Sequence, residues 1–305
     1  MSTVLGLAAL VGGIALVVWA ADVFVDGLLG VGRALGIAPF VLTVALSGFE
    51  TENLAAGIAA NAKGLPGAAA GTFLGGITFL ALGVAGLAAV IAPMQLELPP
   101  RFAIWTAAAP VPLLLFGLDG RLSRVEGAVL VAWSVVALVG LARSGRALLA
   151  DESGERVRSP GVRLLAGLVV LTGGGWLLGQ GLTSTVRNLG ISPTLLGNTA
   201  VAASVEAEEV ARVAVPARRG RPELGLGNIG ATVVHFAALN AGVLALVKPL
   251  PLGHDTTHFY LPVAAASPAI LAVLLLTRKR LGRIDGVGLI ALYVAYVAIA
   301  IAIST

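Results

Sequence analysis

Two short acidic runs stand inside apolar stretches, and they are near copies of each other. The first is Ser47-Gly48-Phe49-Glu50-Thr51-Glu52-Asn53 and the second Ser204-Val205-Glu206-Ala207-Glu208-Glu209. Each sets carboxylates at i and i+2 near the middle of a hydrophobic segment. A carboxylate in hydrocarbon is costly unless it has a partner. A cation is the natural partner of paired carboxylates, and a set of hard oxygen donors suits Ca2+ or Na+. Ser47 and Ser204 add hydroxyl oxygens to the set. Gly48 weakens the helix locally. A break there would free carbonyls at the end of one half-helix and N–H groups at the start of the next, a known way to build an ion site within a membrane. The N-terminal end of the second half-helix also favours negative charge.

Spacing within each run decides which acid faces the centre. On an unbroken helix Glu50 and Glu52 lie about 200° apart, so only one can point inward. Glu52 and Glu208 are the expected central pair, with Glu50 and Glu206 beside them. Glu209 stands where the first run has Asn53. Two plainer readings compete: the acids pair with buried basic residues, or the runs sit in aqueous loops. Against the first, the predicted spans hold almost no Lys or Arg at those depths. Against the second, the apolar run from Pro39 to Leu46 leads directly into the first cluster.

The elements that must carry these acids follow from composition. The 305-residue chain is 57% hydrophobic and 12% charged, with a mean hydropathy of +0.96. Soluble domains carry about 25% charged residues. This chain cannot cover a globular surface with polar groups, so lipid is its expected solvent. Cysteine is absent, which excludes disulfides, thiolate metal sites and cysteine nucleophiles. No Gly-rich phosphate loop ending in GK[ST] occurs, so ATP-driven pumping finds no support. The net charge of +4 does not indicate nucleic acid, because the basic residues are scattered over short loops. The apolar N-terminal stretch lacks a basic n-region and runs past residue 20, so it reads as a first membrane helix rather than a signal peptide.

Runs of about 20 apolar residues span a bilayer. Ten are predicted, at 3–28, 34–62, 66–92, 102–118, 124–142, 162–184, 191–215, 223–247, 259–276 and 284–303. The expected fold is therefore an all-α polytopic membrane protein of ten transmembrane helices. Five helices (residues 1–142) precede a polar linker (143–161) and five follow it (162–305). If the N-terminus is outside, all but Lys63, Arg121, Arg124, Arg187 and Lys248 of the 20 Lys and Arg fall in inside loops. That bias sets the orientation, with both termini outside. Arg212 is assigned to an inside loop together with Arg218, Arg219 and Arg221. Asp22 and Asp26 are placed at the inner interface, and the four tryptophans at lipid or its boundary.

An odd number of helices per half makes any repeat an inverted one. The repeat is visible. Gly36-Ile37-Ala38-Pro39 matches Gly190-Ile191-Ser192-Pro193; after a two-residue slip, an offset of 156 pairs Glu50 with Glu206 and Glu52 with Glu208. The same offset pairs Gly71-Thr72 with Gly227-Asn228 and Phe79 with His235. The third helix of each half is rich in small residues, which mainly serve close helix packing. Thr72, Thr78, Asn228 and Thr232 nevertheless have the chemistry to line a cavity, Asn228 above all. His235 is the one histidine deep in a predicted span. It is either a hydrogen-bonded packing residue or a titratable cavity residue near the glutamates.

On these motifs the chain resembles the cation/Ca2+ exchanger superfamily, the membrane proteins that include sodium/calcium exchangers. The resemblance covers nearly the whole chain. It implies two inverted five-helix repeats, each with a Gly-Thr-Ser-Leu-Pro-Glu type motif whose glutamate is a central ligand, matching Glu52 and Glu208. It further implies a Gly-Ser-Asn motif on the next helix. That motif matches Gly230-Ala231-Thr232-Val233-Val234-His235, with the acid or amide position on His235, and Gly75-Gly76-Ile77-Thr78-Phe79-Leu80 in the first repeat. Thr51 and Ala207 replace the family's proline, and Phe49-Glu50 and Val205-Glu206 replace its Thr-Ser pair.

The expected cation ligands are thus Glu52, Glu208, Glu50, Glu206, Glu209, Asn53, Ser47, Ser204, Thr72, Asn228 and His235. The expected function is secondary antiport of a cation, Ca2+ against Na+ or H+, by alternating access in a prokaryotic cell membrane. The alternatives are a cation/H+ exchanger not specific for Ca2+, and a channel without obligatory exchange. No catalytic constellation, cofactor, nucleic acid or obligatory protein partner is implied.

Overall fold

A computed structural model describes residues 3–47, 51–95, 98–145, 157–188 and 207–304. Its helices are α1 (Thr3–Leu35), α2 (Pro39–Leu46), α3 (Thr51–Ala62), α4 (Pro66–Ile91), α5 (Pro100–Gly117), α6 (Arg124–Ser144), α7 (Pro160–Asn188), α8 (Ala207–Arg218), α9 (Pro222–Val247), α10 (Thr256–Arg278) and α11 (Arg283–Ser304). Among the described residues, eight helices are long and apolar enough to cross a membrane. Helices suit such a chain because they satisfy their own backbone groups where no water can. Proline opens α2, α4, α5 and α9, at the one helical position where its missing N–H costs nothing. Helix α6 begins instead with a capping box: Ser123 Oγ accepts from the Glu126 N–H, and the Glu126 carboxylate accepts from the Ser123 N–H.

Two boundaries differ from the sequence expectation. The span predicted over 34–62 does not begin at 34, because α1 continues to Leu35. Gly36 then turns at φ +65°, and Ala38, held extended before Pro39, starts a new helix at Pro39. That helix ends at Leu46, with Ser47 extended at φ −74° and ψ 147°, and α3 starts at Thr51. The first piece of this element therefore ends at Ser47, next to the expected break, and Gly48 itself lies outside the described residues.

The 156-residue offset recurs in the backbone. Helix α4 contains a π-helical segment, Phe79–Val84, and α9 contains one at His235–Asn240. The α3–α4 turn places Gly64 at φ +75°, and the α8–α9 turn places Gly220 at φ +72°, a conformation glycine adopts without strain. Two small strand pairs cross between the halves. β1 (Met94–Gln95) pairs antiparallel with β4 (Arg280–Leu281), and β2 (Arg121–Leu122) with β3 (Leu250–Pro251). Helix contacts reciprocate as well. Gly127 of α6 lies so close to Gly242 of α9 that a Cβ on either would sit 2.7 Å from the other's carbonyl oxygen.

Helices α1 and α7 lie side by side along a seam of small residues. A Cβ on Gly27 would meet the Leu164 backbone at 2.2 Å, on Gly167 the Phe24 backbone at 2.6 Å, and on Gly181 the Leu10 backbone at 2.4 Å. Gly167, Gly174 and Gly181, seven residues apart on α7, thus let the helices close on each other, as membrane helices without a hydrophobic driving force require. The end of the pair is tied by charge. Asp26 of α1 accepts from Arg163 of α7 at 2.9 Å and from Arg219, just beyond α8, at 2.5 Å. These partly exposed ion pairs are each worth about 0–1 kcal/mol, so the seam rather than the salt bridges joins the helices. Gly167→Val is expected to force the backbones apart and destabilise the solubilised protein by about 1–3 kcal/mol. Gly173→Ala, with nothing within 4 Å of its added methyl, should leave the thermal midpoint unchanged.

Candidate cation site

Glu208 and Glu209 occupy the first turn of α8, where the helix N-terminus favours acids. One turn on, Arg212 reaches back to both. Its Nη2 donates to Glu208 Oε1 at 2.8 Å and its Nη1 to Glu209 Oε1 at 2.6 Å. The three side chains are 9%, 8% and 1% exposed for Arg212, Glu208 and Glu209. This corrects the sequence reading on two counts. Arg212 belongs to a buried helix, not to the inside loop that holds its neighbours in sequence. Glu208 and Glu209 of the second run are also partnered by a buried base, the plainer reading set aside above. The signal was present in the sequence, since acids three and four residues before an arginine share one helix face.

The second oxygen of Glu209 is also engaged. Asn228 Nδ2, from α9, donates a short hydrogen bond to Glu209 Oε2. Asn228 Oδ1 in turn accepts from Ser47 Oγ at 2.7 Å. Ser47 is the residue at which α2 breaks off, so the broken element of the first half meets the acids of the second through one amide. Ser47 and Asn228 are both buried. Glu208 faces α7, where Gly175 leaves room: a Cβ there would lie 2.9 Å from Glu208 Oε2.

The structure thus joins Ser47, Asn228, Glu209 and Glu208 of the expected set, and adds Arg212. Within this network Glu209 is bonded across helices to Asn228. At the 156-residue offset its counterpart is Asn53, in the first turn of α3. Glu52 is in the same turn, and its side chain lies outside the described residues, as do Glu50, Ser204 and Glu206 altogether. Thr72 stands apart from the network, bonding its own helix through the Ala69 carbonyl at 2.8 Å. His235 opens the π segment of α9, is 3% exposed, and bonds through Nδ1 to the Ala231 carbonyl at 2.8 Å. Thr232 Oγ1 and Asn240 Nδ2, on the same helix, are buried without a hydrogen-bond partner among the described residues. Asn240 escaped the sequence reading because no motif position falls on it. Among the described residues, no group of three or more acids and histidines stands close enough to hold a metal ion.

The model of one family, sodium/calcium exchanger protein, matches residues 5–142 and 160–302. The chain belongs to that family. It is 28% identical over 312 residues to "Putative antiporter CaxA" of Alkalimonas amylolytica, covering 93% of this chain and 95% of that one. To the inner membrane protein YrbG of Escherichia coli it is 26% identical over 267 residues, covering 80% and 81%. Among solved structures, the sodium-calcium exchanger NCX_Mj soaked with 2.5 mM Na+ and 10 mM Sr2+ has the same fold. It superposes with a TM-score of 0.81 at 23% identity, over 97% of this chain and 99% of that one. This family member is therefore a transporter of the exchanger type and not an enzyme.

The amide bridge can be tested by stability. Asn228→Ala leaves a buried carboxylate oxygen without its donor and should cost about 1–3 kcal/mol in thermal unfolding of the purified protein. Ser47→Ala removes only the outer hydroxyl and should cost about 1 kcal/mol or less.

Proposed function

We propose that this exchanger carries a cation, Ca2+ in exchange for Na+ or H+, through a carboxylate site between its two halves. The observation that carries the reading is the bridge from Ser47 through the Asn228 amide to Glu209, which joins the broken helix of the first half to an acid of the second. Glu209 and Glu208 supply the described carboxylates, and Asn228 and Ser47 supply neutral oxygens. Glu52, Glu50 and Asn53 complete the proposed site from the facing run, and Glu206 and Ser204 from the run that holds Glu208 and Glu209. Thr72 and His235 flank it. Ten spans in two inverted five-helix repeats, with both termini outside, accommodate this placement. The recurrence of π segments, glycine turns and strand pairs at matching positions supports that arrangement.

Antiport follows from electrostatics. Bare carboxylates cannot reorient through a dry barrier without large cost, so one ion must replace another before the site changes sides. A tilt of the α1–α7 pair would then expose the site alternately, since Gly175 brings α7 against Glu208. Exchange against protons without Ca2+ specificity is the second reading. Arg212 favours it, because one fixed positive charge already offsets part of the acidity.

Flux of 45Ca2+ into proteoliposomes under separately imposed Na+ and H+ gradients tests the proposal. Uptake should require one of the two opposing gradients and fall by at least tenfold in Glu209→Gln. Uptake without any counter-ion would sink antiport and point to a channel. Strict Na+ dependence with no response to pH would eliminate the proton version.

A further inference from the structure

We propose that Arg212 is a tethered competitor for the cation site and sets its preference between monovalent and divalent ions. The inference rests on the antiporter reading above and adds a determinant to it. The guanidinium places one nitrogen on each carboxylate, at 2.8 Å from Glu208 and 2.6 Å from Glu209. A cation bridging those two acids needs the volume and the oxygen lone pairs that this fork holds. Neither acid has an easy retreat. Glu209 is committed to Asn228 through its other oxygen, and Glu208 is packed against Gly175 of α7. Cation binding there is therefore an exchange of the guanidinium for the ion, with Arg212 swinging aside and its charge remaining close.

That remaining charge discriminates by valence. At equal distance a fixed positive charge repels a divalent ion twice as strongly as a monovalent one. Beyond the displacement that both ions share, the factor by which this charge weakens Ca2+ binding is then the square of the factor by which it weakens Na+ binding. Arg212 is thus a selectivity residue acting directly on the ligands.

The test uses the purified full chain, titrated with Ca2+ or Na+ at constant ionic strength in choline chloride, with thermal unfolding as the binding readout. Arg212→Gln should raise apparent Ca2+ affinity ~10-fold and Na+ affinity only ~3-fold. It should also lower the ion-free thermal midpoint, and added Ca2+ should restore it, because the ion takes over the vacated carboxylates. Arg212→Lys keeps the charge, and its Ca2+-to-Na+ preference should stay within about twofold of the unmodified protein. The proposal is overturned if the Gln variant keeps the original preference, or if the Lys variant shifts it as far as Gln does. It is equally overturned if the Gln variant cannot be recovered as a monodisperse protein even in millimolar Ca2+, since Arg212 would then serve the fold alone. Failure of the antiporter reading looks different: the unmodified protein would bind cations in these titrations yet show no counterflow in proteoliposomes.

Discussion

Carboxylates buried among apolar helices must be compensated, and in this chain part of the compensation is covalently attached. Arg212 lies on the same helix as Glu208 and Glu209 and meets both. Breaking such a buried pair by removing one partner leaves an isolated charge, typically a loss of about 3–5 kcal/mol. The neighbouring elements are arranged around that fact. Helix α9 turns an amide toward Glu209, α7 thins to a glycine beside Glu208, and α2 stops where its terminal serine can reach the amide.

The two halves solve the same packing problem twice. Each has a helix interrupted by a π segment, each enters that helix from a glycine turn of positive φ, and each contributes one strand to a small pair with the other half. Their chemistry is less alike. At the offset that superposes the π segments and glycine turns, the second half has Glu209 and Arg212 where the first has Asn53 and Ala56. These backbone features therefore recur while the second half adds one acid and its own counter-charge, Glu209 and Arg212, to the pair of acids that each run carries.

Much of this was legible beforehand. The acidic runs, the helical class, the break near Gly48 and the 156-residue offset all followed from residue type and spacing, because burial of charge and loss of helix propensity are local effects. The role of Arg212 was not legible by the same route. Its neighbours Arg218, Arg219 and Arg221 made a basic tail whose charge count dominated the assignment, and a single arginine one turn inward was absorbed into it. The π segments have no compositional signature, since one extra residue per turn is a tertiary accommodation. Helix α1 outran its predicted end because Gly36, rather than the loss of hydrophobicity after residue 28, decides where it stops.

The seam between α1 and α7 makes the two helices a single mechanical body. Backbones in contact at several levels leave little side-chain padding between them, so a tilt of one helix carries the other. That body meets both ends of α8: Gly175 lies against Glu208 near its start, and Asp22 and Asp26 against Arg219 just past its end. A rotation pivoting on one contact necessarily strains the other. The buried acids and the charged rim thus bear on one shared lever, at opposite ends of a single helix.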